Sequence, residues 1–416
     1  MTIIKQADFI QSIQDALQYI SYYHPADYIQ ALGDAYKLEQ SPAAKDAIAQ
    51  ILTNSRMCAE GKRPICQDTG IVVAFVKVGM NVRFEGQDGI ESLTLEQMVN
   101  EGVRHAYLLP DNKLRASIVN DPAGKRQNTK DNTPAVTHVE LVLGDTVEVS
   151  IAAKGGGSEN KAKFVMLNPN DSIVDWIIET VPTMGAGWCP PGMLGIGIGG
   201  TAEKAMILAK ESLMQPINMH ELKQKVARSN GDLNIKSLSR IEELRLEIYD
   251  KVNNLGIGAQ GLGGLTTVLD VKILDYPTHS ASLPVAIIPN CAATRHIHFV
   301  LDGTGAAEFT PPDIASYPDV HWAPSAAAKR VNVDSLTKAD ISAWQAGETL
   351  LLTGKILTGR DAAHKRIKTM LTKGEKLPVD LSNRFIYYVG PVDAVRDEAV
   401  AQQGQRLQQE WMITPK

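Results

Sequence analysis

Cysteine is scarce in this chain, with four in 416 residues. So few exclude a disulfide scaffold. No apolar run is long enough to cross a bilayer as a helix. The opening residues, Met1-Thr2-Ile3-Ile4-Lys5-Gln6-Ala7-Asp8, lack the apolar region of a secretory signal. Lysine and arginine are dispersed rather than gathered into a tract, and the formal net charge is −5. Nothing there calls for nucleic acid or an anionic membrane as partner. The expectation is a soluble cytoplasmic protein.

What is present is enough chain for two or three domains with a sizeable core, at an ordinary hydrophobic content of 44%. Ser41-Pro42 before Ala43-Ala44-Lys45-Asp46 marks a helix start, and that helix should run to about Cys58 and stop at Gly61. Ile71 to Val78 is a β-branched run, hence a buried strand. Leu93 to Leu108 returns to helical spacing. Thr137 to Val142 and Thr146 to Ile151 alternate around Gly144-Asp145, which predicts a hairpin. Ala202 to Met214 and Met219 to Val252 read as helices, and Leu265 to Ile273, Ala281 to Ile288 and His296 to Leu301 as strands. Residues 303–328 are rich in Gly, Pro and Ala and read as a linker. They separate an N-terminal domain of residues 1–302 from a smaller α/β domain of residues 329–416. The fold class expected is α/β, with no internal repeat.

Three of the cysteines stand in unlike settings far apart: Ile65-Cys66-Gln67-Asp68, Trp188-Cys189-Pro190-Pro191 and Asn290-Cys291-Ala292-Ala293. Each adjoins glycine, proline or polar residues, where a backbone can turn tightly around a ligand. Three thiolates from distant loops can hold an iron–sulfur cluster and leave one iron open as a Lewis acid. Taken without their surroundings they are more often buried thiols, and Cys58, near a helix end, is read that way.

Gly195-Ile196-Gly197-Ile198-Gly199-Gly200 fits G-x-G-x-x-G, yet the prolines before it argue against a central strand, so dinucleotide binding is a weak reading. Lys154-Gly155-Gly156-Gly157-Ser158-Glu159-Asn160-Lys161 follows a strand and offers either an amide nest for an anion or a plain surface loop. Gly256 to Gly264 is either a second such loop or a tight turn before a strand. Arg115, Arg295 and Arg360 sit beside apolar or small residues and suit carboxylates. His279 could donate to a substrate, and Asp68 could act as an acid–base group or cap the turn at Gly70.

Together these strings resemble the class I, iron–sulfur-dependent fumarate hydratases, from the N-terminal helices to about Val400. The most specific are Ile65 to Gly70, Lys154 to Lys161, Cys189-Pro190-Pro191, Pro289 to His296 and Thr353 to Asp361. The resemblance implies a 4Fe–4S cluster on Cys66, Cys189 and Cys291. It implies a dicarboxylate lined by Gln67, Asp68, Arg115, Gly155, Gly156, Gly157, His279 and Arg360, with Gln67, Asp68 and His279 as catalytic groups. It further implies reversible hydration of fumarate to (S)-malate and a homodimer. Tartrate dehydratase and mesaconate hydratase are the near alternatives, since all share two carboxylates. A non-catalytic iron–sulfur protein is the rival from another class.

The tail departs from the pattern. Family members continue past Gly-Pro-Val-Asp with Gly-Pro-Thr-Thr-x-Thr-Arg-Met-Asp and a later Gly-Lys. They place there a basic threonine that pairs with the aspartate matched by Asp68. Here Ala401-Gln402-Gln403-Gly404-Gln405-Arg406 follows Val400. With codons of our choosing, restoring a single G after Val400 yields the expected stretch. The expectation is therefore a C-terminally truncated frameshift product with an incomplete second domain and impaired hydratase activity.

Overall fold

The computed structural model describes residues 1–86, 91–229, 238–320, 327–345 and 348–388. The tail after Val400 lies outside them. The chain divides into two compact units, Met1–Val320 and His321–Lys416.

In the first unit the elements run β1 (Thr2–Lys5), α1 (Gln6–Tyr22), α2 (Ala26–Leu38), α3 (Pro42–Gly61), β2 (Ile71–Gly79), β3 (Val82–Glu85) and α4 (Leu95–Leu108). Then come β4 (Val119–Asn120), β5 (Gln127–Asn128), β6 (Val136–Val142), β7 (Val147–Lys154), α5 (Gly156–Glu159), β8 (Lys163–Leu167), α6 (Ile173–Thr183) and β9 (Gly192–Gly199). The unit closes with α7 (Ala202–Ser212), α8 (Met219–Ser229), α9 (Arg240–Asn254), β10 (Val268–Tyr276), β11 (Leu283–Asn290) and β12 (His296–Leu301). The mixture of helices and strands is the α/β class expected. Pro42 opens α3 at its first turn, and α4 opens on a capping box in which Thr94 accepts from the Gln97 N–H.

Two four-stranded sheets carry the unit, in the orders β12-β7-β2-β6 and β10-β9-β11-β8. In the first, Val72, Ala74, Val76 and Val78 alternate toward α1 and α4 and bury against Ile13, Leu17 and Val103. In the second, Leu194, Ile196 and Ile198 face Trp188, Ile177 and Ile248, while Ala286 and Ile288 face the opposite way toward Leu52, Ala205 and Ala209. That sheet is thus covered on both faces.

Three sequence expectations change. The strands either side of Gly144 do not form a hairpin. β2 lies between them, parallel to β6 and antiparallel to β7. The turn saddles the end of β2, with Asn81 N–H donating to Gly144 O at 3.0 Å. Because β2 is apolar at nearly every position, it takes the inner place that both neighbours can cover. The long helical run from Met219 is two helices, α8 and α9, the second begun by a Ser239–Glu242 capping box. And the glycine-rich stretch from Gly192 is the buried central strand β9. The prolines stop short of it, and its glycines serve packing: a Cβ on Gly195 would lie 2.2 Å from Ala209 O, and one on Gly197 would lie 1.9 Å from Ala205 O. Only a bare backbone lets α7 come that close.

Residues 303–320, expected as part of a linker, belong to the first unit. Ala307 N–H donates to Ser12 Oγ at 2.9 Å, Tyr19 Oη donates to Thr310 O at 3.0 Å, and Tyr317 is buried. The second unit holds β13 (Lys329–Asn332), α10 (Lys338–Ser342), β14 (Leu350–Thr353), β15 (Leu357–Thr358), α11 (Asp361–Thr372) and β16 (Ile386–Tyr387). β13 runs parallel to β14 and β15 parallel to β16.

Candidate functional site

Strand ends bring the cysteines together. Cys66 lies on the loop that feeds β2, whose Ile71 pairs with Lys154 at the end of β7. Cys189 precedes β9, whose second residue Met193 pairs with Asn290, the last residue of β11. Cys291 follows immediately, on the five-residue span joining β11 of one sheet to β12 of the other, where His296 pairs with Ala152. All three loops therefore leave from the corner where the two sheets meet.

Contacts close that corner. Cys66 and Cys291 pack against one small apolar cluster of Cys58, Ile65 and Ala293. The Ala292 N–H donates to Cys189 O at 2.9 Å. Cys189 itself holds φ at +58°, which a side-chain-bearing residue adopts at a cost of about 1–2 kcal/mol. Gln260 holds the adjoining residue in place, its N–H and its Nε2 both donating to Pro190 O at 2.7 Å. The stretch Gly256 to Gly264 is thus a turn before β10. No disulfide links the cysteines. Cys58 is fully buried, as expected.

Asp68 is oriented by main-chain amides. Its Oδ2 accepts from Gly156 N–H at 2.7 Å and its Oδ1 from Gly70 N–H at 3.2 Å. The Gly155–Gly157 turn therefore spends an amide on this carboxylate. A Cβ on Gly155 would lie 3.3 Å from Asp68 Oδ2, so the turn wraps it closely. Gln67 is buried, and its Oε1 accepts from the Cys66 thiol at 3.3 Å. The Arg115 main chain is drawn to the same loop. Thr69 Oγ1 donates to Arg115 O, and the buried Asn132 donates to Gly70 O at 3.0 Å while accepting from Ser117 N–H at 2.7 Å. The Arg115 side chain is exposed.

Two buried cations flank the thiols. The Arg295 guanidinium donates from Nε to Ala153 O at 3.2 Å and from Nη1 to Asp68 O at 2.5 Å. Lys154 donates from Nζ to Ser158 Oγ at 2.5 Å and to Pro289 O at 2.6 Å. Burial brings its amine down to about 8, with Glu159 working the other way. Burial likewise pushes the Cys66 thiol up to about 11, opposed by Arg295. The sequence reading includes Lys154 only as a flank of the glycine-rich anion loop, because its burial is not legible from its neighbours.

One expected residue of the first unit, His279, is not brought to this corner. His279 is exposed on the turn between β10 and β11, its Nδ1 accepting from Ala281 N–H at 3.2 Å. Eight residues of β11 separate that turn from Cys291, about 26 Å at about 3.3 Å per residue. Arg360 lies in the second unit, half-buried just before α11, where its carbonyl accepts from His364 N–H at 2.9 Å.

The donor set fits an iron–sulfur cluster in its chemistry: three thiols on three loops, with two buried cations to balance thiolate charge. Among the described residues, no group of three or more His, Cys, Asp and Glu side chains is placed to hold one metal ion. A four-iron cluster binds each thiolate through a different iron, and so spaces its donors more widely.

Fold and corner define an α/β protein whose chemically loaded groups are three thiols, an amide-held aspartate and buried cations. The chain belongs to the fumarate hydratase family. Residues 10–300 match the family described as Fumarate hydratase (Fumerase), and residues 303–406 match the one described as Fumarase C-terminus. It is 36% identical over 281 residues to the putative L(+)-tartrate dehydratase subunit alpha of Methanocaldococcus jannaschii, covering 66% of this chain and 90% of that protein. It is 28% identical over 379 residues to the anaerobic class I fumarate hydratase of Escherichia coli K12, covering 88% of this chain and 66% of that one. With the aerobic class I enzyme of the same strain the identity is 31% over 372 residues, covering 85% and 63%. The chain spans about two thirds of the length of these fumarate hydratases. No helix among the described residues is long and apolar enough to cross a membrane.

Proposed function

We propose that this chain is a hydro-lyase of small dicarboxylates that carries a 4Fe–4S cluster on Cys66, Cys189 and Cys291. Its substrate pair would be fumarate and (S)-malate, in the cytoplasm and as a homodimer. The observation that carries the reading is the meeting of the three cysteine loops at one corner, beside a carboxylate fixed by two amide bonds. Both family matches and the named relatives support the reaction class.

The cluster, when bound, supplies an open iron that acts as a Lewis acid toward substrate oxygen. The chain's own groups do the rest. Asp68, held by Gly70 and Gly156, takes part in moving the proton on the carbon next to the hydroxyl. Gln67 lies one residue away and contributes a buried amide. Arg295 sets the Asp68 main chain, and Arg115 offers an exposed guanidinium to a carboxylate. His279, on the far turn, serves only if another chain or a change of shape brings it in.

Mesaconate and tartrate stay within the same reading. The relative from Methanocaldococcus jannaschii, named for tartrate, gives the tartrate alternative specific weight. The test is anaerobic reconstitution with ferrous iron and sulfide, an iron and sulfide count, then a panel of fumarate, mesaconate and both tartrate enantiomers. A loaded protein turning over fumarate fastest is expected. A protein that takes up no iron and sulfide refutes the cluster, and a loaded protein that turns over another of the four faster than fumarate refutes the choice of substrate.

A further inference from the structure

Lys154 is almost fully buried, 3% exposed, at the last position of β7. Its ammonium reaches two different elements, α5 and β11. One partner, Ser158 Oγ, belongs to the turn whose Gly156 N–H holds Asp68, and that hydroxyl donates onward to Gly155 O at 3.1 Å. The other, Pro289 O, lies on β11 two residues before Cys291. Glu159 Oε2 stands 4.0 Å from the amine, while Glu159 Oε1 accepts from Lys210. β7 and β11 belong to different sheets, so this is a hydrogen-bonded link across the seam, separate from the covalent span 291–295. A hydrocarbon side chain would fill the same space without a charge to bury. What the ammonium adds is direction: bonds to α5, whose Gly156 N–H holds Asp68, and to β11, which Cys291 follows.

We propose that Lys154 is a positioning residue that fixes the spacing between Asp68 and the cluster ligand Cys291. This rests on the reading that Cys66, Cys189 and Cys291 hold the cluster. Groups around a metal centre that orient its ligands typically alter metal affinity 10- to 100-fold when removed.

The test uses the full chain as wild type, Lys154→Met and Ser158→Ala, each purified anaerobically and reconstituted with ferrous iron and sulfide. Three quantities are read: iron and sulfide per chain, the rate of iron release to excess ferrous chelator, and the electron paramagnetic resonance spectrum of the cluster after one-electron reduction with dithionite. Lys154→Met should release iron about tenfold faster and show shifted resonance, a change that mere loss of stability would not produce. Ser158→Ala keeps the Pro289 bond and should fall between. A wild type that takes up no iron and sulfide overturns the cluster reading and this inference with it. A wild type that loads, beside a Lys154→Met that holds iron as long with an unchanged spectrum, overturns the inference alone. Should Lys154→Met not fold, Ser158→Ala decides: faster release supports the link, and release at the wild-type rate refutes it.

Discussion

Replacing Arg295 by methionine tests how the cysteine corner is braced. The residue is 3% exposed, and its guanidinium donates to two carbonyls, Ala153 O at 3.2 Å and Asp68 O at 2.5 Å. Hydrogen bonds from a charged donor contribute about 1.5–3 kcal/mol each, so the two together contribute about 3–6 kcal/mol. Methionine keeps an apolar stem and avoids the cost of burying a charge, which returns part of that. It also leaves two carbonyls without their donor, at about 1–3 kcal/mol apiece. The net loss expected is about 2–4 kcal/mol. Urea unfolding of the metal-free protein measures it, followed by the emission of the fully buried Trp188. The midpoint should fall at an unchanged slope. Arg295→Lys keeps the charge but lacks the planar fork, and should lose about half as much. A loss below about 0.5 kcal/mol for Arg295→Met, the range of ordinary surface changes, would refute the bracing argument.

Four further outcomes follow from the geometry. Gly197→Ala forces a methyl to 1.9 Å from Ala205 O, so α7 must shift and stability should drop by about 1–3 kcal/mol or more, read as a lower thermal midpoint by circular dichroism. Tyr107→Phe removes the hydroxyl that donates to Thr69 O at 2.8 Å and should lose about 1 kcal/mol in the same urea titration. Asp270 is fully buried and accepts from Asn218 and Met219 N–H, Arg245 and Lys272, so Asp270→Ala leaves two cations without their carboxylate and should cost about 3–5 kcal/mol. Burial holds the His24 pKa down at about 3, well below its ordinary value. Below pH ~6.5 the unfolded chain therefore binds a proton that the folded chain refuses. Stability falls by about 1.4 kcal/mol per pH unit until the folded value is reached. His24→Asn should remove about 2 kcal/mol of the loss between pH 6.5 and 5, as the difference between two titrated stability curves; identical slopes would refute it.

How much the sequence revealed depended on whether a signal was local. Pro42, the Ile71 to Val78 run and the strand from His296 were legible because a short apolar or capping pattern decided each. The place of β2 between β6 and β7 was not, since strand order depends on which strand can be covered from both sides. β9 was hidden because its glycines answer to α7, a partner some ten residues downstream that periodicity does not register. The site divides the same way. Asp68 and Gln67 were readable from their neighbour Cys66, and the structure adds the amide bonds that fix Asp68. Lys154 and Arg295 gain their meaning only from burial against carbonyls of distant strands. His279 and Arg360 were picked out by residue type and by the resemblance, and the structure leaves His279 at the other end of β11.

Because the span that presents Cys291 is also the covalent crossing from β11 to β12, the site gauges mechanical slip. A shear between the sheets of even a fraction of a residue would change the spread of the three sulfurs before it disturbed either hydrophobic interior. Stiffness at that crossing would then govern how long a cluster held as proposed survives. Lengthening residues 291–295 by one would soften the grip without altering any donor.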